Sequence, residues 1–76
     1  MTIFPAQCRA ARALLNISQS DLASRAQVAR ATVTDFEREA RTPTRANLAA
    51  IKAALEAAGV AFTDGDAPGV RLRVQP

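Results

Sequence analysis

Apolar residues recur along the chain at two different periods, and polar punctuation cuts them into short segments. Cys8, Ala11, Leu14 and Leu15 follow helical spacing. Pro5 suits the first turn of that helix, where its missing N–H would have no partner anyway. A first helix from Pro5 to about Leu15 follows, with Asn16 and Ile17 as the connection. Ser18-Gln19-Ser20-Asp21 reads as a near capping box, Asp being a shorter return partner than Glu. It opens a brief second helix, Gln19 to about Ala26, with Leu22, Ala23 and Ala26 inward. After Gln27 and Val28 a third short helix spans Arg30 to Glu37, with Val33 and Phe36 inward. Residues 39–43 break the pattern. Thr44 caps a fourth helix with Leu48, Ile51 and Leu55 on one stripe, and Gly59 supplies the left-handed residue that ends it. Beyond Gly59 the period changes to two. Val60–Thr63 and Val70–Val74 read as strands flanking a turn-forming stretch, Asp64–Gly69, and form either a hairpin or one strand paired elsewhere.

The second and third helices meet the demands of a helix-turn-helix. In that motif two short helices cross at a fixed angle, so that the second enters the major groove while the first braces on the backbone. Counted from Gln19, Leu22 is fourth, Ala23 fifth, Ala26 eighth, Val28 tenth, Val33 fifteenth and Phe36 eighteenth. Ala23 is the small residue a tight crossing needs, and the others supply the inner faces. Arg30, Thr32, Thr34 and Asp35 lie between them and project outward. Arg30 opens the reading helix, with the guanine O6 and N7 edge as its best bidentate partner or a phosphate as the alternative. Ala31 is small enough to pack on a thymine methyl, or else only allows close approach. Thr32 and Thr34 suit a thymine methyl or a phosphate, against passive surface. Asp35 either accepts from a cytosine amino group, orients a neighbouring arginine, or is an outlying acid.

Charge reinforces this reading. Of the ten basic residues, eight precede residue 53 against four acids, whereas the remainder carries two bases and three acids. All but Lys52 are arginine, whose planar fork suits phosphate and guanine edges. A basic excess confined to the helical part points to a polyanionic partner there.

The residues Gln19–Ala26, Ala31–Arg38 and Arg41-Thr42-Pro43 together resemble the Cro/C1-type (XRE-like) regulators of phages and bacteria. The resemblance covers about residues 5–58 and extends more loosely into the tail. It implies an all-α core, a four- to five-helix lambda-repressor-like DNA-binding domain with a short C-terminal β hairpin or strand. Residues 1–59 form the DNA-binding unit, and residues 60–76 a β tail for dimerisation or partner binding. The resemblance also assigns phosphate contacts to Gln19, Arg38, Arg41, Thr44 and Arg45. It makes Arg12 and Glu37 a structural ion pair between the first helix and the end of the third. Two positions depart from the family pattern. Gln27 replaces the usual glycine of the turn, and Ala29 replaces the usual Ser or Thr cap of the reading helix.

Other classes fit poorly. The chain of 76 residues has no histidine and one cysteine, so neither an intramolecular disulfide nor a Cys/His zinc site is available. Cys8 is expected as a small core residue rather than a surface thiol. No metal or cofactor is expected, and Ser18, Ser20 and Ser24 lack a base, which argues against catalysis. A signal peptide and a membrane span are not expected, which leaves a reducing cytoplasm as the expected setting, and the resemblance implies a bacterial or phage one. The expected partners are double-stranded DNA and a second copy of the chain, through Val70, Leu72 and Val74 on one face of the last strand. An antitoxin that wraps a toxin with its tail and represses its own operon is the alternative. A coactivator that bridges proteins without choosing sequence is a third reading.

Overall fold

The computed structural model describes residues 2–73. Four helices, α1 (Pro5–Leu15), α2 (Gln19–Ala26), α3 (Arg30–Glu37) and α4 (Arg45–Ala57), precede two strands, β1 (Val60–Thr63) and β2 (Gly69–Leu72). The helices begin and end where the sequence punctuation places them. Ser18 Oγ accepts the Asp21 N–H at 2.9 Å, and Thr44 Oγ1 accepts that of Asn47 at 3.1 Å. The return half of the capping box does not form, because the short Asp21 side chain turns along the helix to Arg25 instead, at 3.1 Å. Ala29 precedes α3 with no side-chain cap.

α1, α2 and α3 all stop in the same way. The N–H of Ile17 bonds to Arg12 O, that of Val28 to Ala23 O and that of Ala40 to Asp35 O. Each lies beyond a left-handed residue, Asn16, Gln27 and Glu39, with φ of 55°, 59° and 60°. These are Schellman closures, which satisfy carbonyls that a helix end leaves unpaired. Gln27 therefore takes the conformation glycine would, with the turn intact.

The core gathers Ile3, Cys8, Ala11, Leu22, Ala23, Ala26, Val33, Phe36, Ile51, Leu55 and Val60. Leu22, Val33, Ile51, Leu55 and Val60 are fully buried, and Val28 and Leu48 pack at the margin. Leu14 departs from expectation and stays 44% exposed. The inward face of α1 is Gln7, Cys8 and Ala11, and Leu14 lies beyond its edge.

The strands form an antiparallel hairpin with Val60 opposite Leu72 and Phe62 opposite Val70. Val60 enters the core, while Phe62 and Val70 pack against it. Of the three residues expected to offer a dimer face, Val70 thus faces its own core, Leu72 is exposed, and Val74 lies outside the described residues. Gln7, which the sequence reading did not single out, pins the hairpin to α1. Its Nε2 donates to Thr63 O at 2.9 Å and to Gly69 O at 3.1 Å, and its Oε1 accepts the Phe4 N–H at 2.8 Å.

Left-handed backbone is disfavoured for any residue with a Cβ. Replacing Gln27 by Gly should therefore raise stability by about 0.5–1 kcal/mol, net of the extra unfolded-state entropy of glycine. Urea denaturation measures this directly, and a loss of stability would show that the Gln27 side chain contributes contacts of its own.

Candidate nucleic-acid interface

The position of α3 depends on its last residue, Glu37. Its carboxylate is 3% exposed and receives donors from two other helices. Arg12 Nε reaches Oε2 and Arg12 Nη2 reaches Oε1, each at 2.6 Å, a bidentate fork from α1. Gln19 Nε2 from α2 donates to Oε1 at 3.0 Å, and Cys8 Sγ to Oε2 at 3.1 Å. Arg9 Nη1 donates to the Glu37 backbone carbonyl, one of those left open at the end of α3. A third Arg12 nitrogen, Nη1, donates to Ile17 O at 3.1 Å, tying in the α1–α2 turn.

These contacts set the ionisation of the cluster. Burial alone would push the Glu37 carboxyl up, but hydrogen bonds from Arg12, Gln19 and Cys8, with the Arg12 charge, outweigh it and hold it below the ordinary carboxylate range. The hydrogen bond to Glu37 pushes the Arg12 guanidinium up, against the opposing effect of its burial. Burial pushes the Cys8 thiol up, and the neighbouring carboxylate adds to this, so the sulfur keeps its proton and donates it. Cys8 is thus a core residue, as expected, but one with a polar bond. Arg9 and Cys8 were absent from the sequence-derived cluster. For Arg9 a signal existed, since it lies three residues before Arg12 and so on a neighbouring part of the same helix.

With α3 held in this way, its outer side and the loop to α4 line one cleft. Arg30 and Ala31 are exposed. Ala31, Thr32 and Asp35 line a shallow cleft of about 240 Å³, faced across the loop by Arg41, Thr44 and Asn47. Arg45 is exposed and lines a separate groove with Lys52. Asp35 is half-buried, with its carboxylate 3.7 Å from Nε of the exposed Arg38. Arg30, Arg41 and Arg45 form no ion pair among the described residues. Two further expected contact residues are hydrogen-bonded to each other. Thr34 and Gln19 turn toward each other across the α2–α3 seam, Thr34 Oγ1 donating to Gln19 Oε1 at 2.8 Å. Among the described residues no group of three His, Cys, Asp or Glu side chains could hold a metal ion, and no helix is long and apolar enough to cross a membrane.

The depressed Glu37 acidity gives a pH dependence of definite sign. A carboxylate with a lowered folded pKa contributes stability that is complete above its unfolded value, about 4.3, and is lost as pH falls through the folded value. Wild-type stability should therefore decline on acidification below about pH 4, beyond the general acid response. Glu37→Gln should be less stable at neutral pH and show a shallower acid limb. Denaturation at a series of pH values tests this, and parallel acid limbs would show that Glu37 does not carry the effect.

The helix-turn-helix family model matches residues 9–58, from within α1 to the end of α4, and leaves the β hairpin outside. No curated protein matches the chain. The match spans most of the chain and contains α2, its turn and α3 whole, together with the Arg12–Glu37 pair that braces them. The chain belongs to the Cro/C1-type helix-turn-helix family, a family of DNA-binding transcription regulators.

Proposed function

We propose that the protein is a sequence-specific transcriptional regulator, acting as a repressor, that inserts α3 into the major groove. The observation that carries this reading is the exposed set Arg30, Arg41 and Arg45, none of them in an ion pair among the described residues, with Arg41 facing Ala31, Thr32 and Asp35 of α3 across one cleft. A major groove about 12 Å wide admits one helix, and its N-terminal residues meet the base edges. Arg30 and Ala31 then face bases, with Thr32 and Asp35 behind them. Asp35 acts by orienting Arg38, which the 3.7 Å approach supports. Arg38, Arg41, Thr44 and Arg45 grip phosphates, and the α4 N-terminus adds oriented N–H groups to that anchoring.

The protein binds as a homodimer in this reading. Leu72 is 52% exposed on β2, and among the described residues strands β1 and β2 pair only with each other, which in this reading leaves a sheet edge for a second copy across a two-fold axis. The same exposed leucine favours the second reading, an antitoxin that binds a toxin through the tail. A tight one-to-one complex with a toxin encoded beside it would decide for that reading. The setting is the bacterial or phage-infected cytoplasm.

Base and phosphate roles separate experimentally. Arg30→Ala should flatten preference at one base position, whereas Arg41→Ala should weaken binding to all sequences alike and reduce the salt slope by about one. Selection from a random DNA library, repeated with each variant, reads both, and the reverse pattern would overturn the assignment of roles. For the dimer, sedimentation should give twice the chain mass at micromolar concentration, and the selected sites should hold two half-sites about 34 Å apart. A monomer with a single half-site would refute it.

A further inference from the structure

The hydrogen bonds that run from Glu37 to the face of α3 have a polarity that leaves no choice. A carboxylate only accepts, and the Arg12 fork keeps Glu37 in that form. The Gln19 atom 3.0 Å from Glu37 Oε1 must therefore be the amide nitrogen, which turns the amide oxygen to the opposite side. That oxygen lies 2.8 Å from Thr34 Oγ1. An amide oxygen carries no proton, so the bond must use the proton of the Thr34 hydroxyl. Threonine within a helix commonly bonds the carbonyl one turn back, but here the proton is committed across the seam to α2. What Thr34 retains for any other partner is its lone pairs.

We infer that Thr34 is a specificity-determining residue that reads DNA as a hydrogen-bond acceptor only, taking a bond from the exocyclic amino group of adenine or cytosine in the major groove. This rests on α3 lying in the groove, as proposed above. Of the major-groove edges, adenine N6 and cytosine N4 donate, whereas guanine O6 and N7 and thymine O4 accept. An acceptor-only hydroxyl discriminates between these two sets, and it has no proton for a phosphate. Gln19 is the positioning residue that enforces this. One of its amide N–H groups remains free of Glu37 and serves the phosphate contact expected of it.

The test is selection of sites from random DNA by the full chain and by Thr34→Val, Thr34→Ser and Gln19→Ala, with folding checked by circular dichroism. Wild type should prefer an amino-bearing base by about tenfold at one position per half-site, the effect of one net hydrogen bond. Thr34→Val, of the same shape without the acceptor, should lose that preference there and nowhere else, and Thr34→Ser should keep it. A base analogue lacking the amino group (purine for adenine, or pyrimidin-2-one for cytosine) should weaken wild type about tenfold and leave Thr34→Val unaffected. Gln19→Ala releases the hydroxyl proton, so guanine or thymine should become acceptable at the same position. An unchanged profile in Thr34→Val, or a wild-type preference for guanine or thymine at the position that Thr34→Val alters, overturns the assignment. If Arg30→Ala still loses base preference in that case, the groove reading stands without it. A wild-type protein that selects no sequence overturns both.

Discussion

A single buried carboxylate, that of Glu37, holds the three helices of the reading head together. An ionised group at 3% exposure is costly to desolvate, and it is tolerated only with its lone pairs filled. Here the donors come from Arg12 and Cys8 on α1 and from Gln19 on α2, while the carboxylate belongs to the last turn of α3. No two of these helices can shift relative to each other without leaving that charge short of a partner. Such a pair adds little net stability compared with an apolar alternative, but breaking it is expensive. It therefore specifies one arrangement of α1, α2 and α3 more than it strengthens the fold.

The connections make the same demand locally. Three successive Schellman closures turn the chain at Asn16, Gln27 and Glu39, and none uses glycine. Each fixes the direction in which the chain leaves a helix, and the closures at Gln27 and Glu39 bracket α3. Val28, the residue after the left-handed turn, then packs against the core, as the hydrophobic contact of that motif requires. With both ends of α3 fixed in this way, a helix of eight residues presents a constant face. A helix this short would be marginal in isolation, so its order comes from tertiary contacts.

The hairpin extends the same core rather than hanging from it. Val60 is fully buried, and the two Gln7 bonds hold Thr63 and Gly69, the last residues before the turn opens. Because α1 carries Gln7 at one end and Arg9 and Arg12 further along, it links the tail to the reading head. A partner seated on Leu72 would thus bind next to the helix that braces α3.

The order and bounds of the helices were legible in the sequence because they depend on local chemistry. Pro5, Ser18, Thr44 and Gly59 act within one turn of their own position, and the inward residues Leu22, Ala23, Val33, Phe36, Ile51 and Leu55 follow helical spacing. The helix-turn-helix was legible for the same reason, as a set of offsets within twenty residues. Only the tertiary structure decided where the polar side chains turn. Gln19 and Thr34 lie 15 residues apart, Cys8 and Glu37 29, and Gln7 and Gly69 62, and no periodicity relates them. Leu14 and Val70 show the same limit for apolar residues, one exposed despite its spacing and the other packed on its own core. Backbone conformation is chosen over a few bonds, so sequence states it. The direction of a hydrogen bond between distant side chains exists only once folding has brought donor and acceptor together.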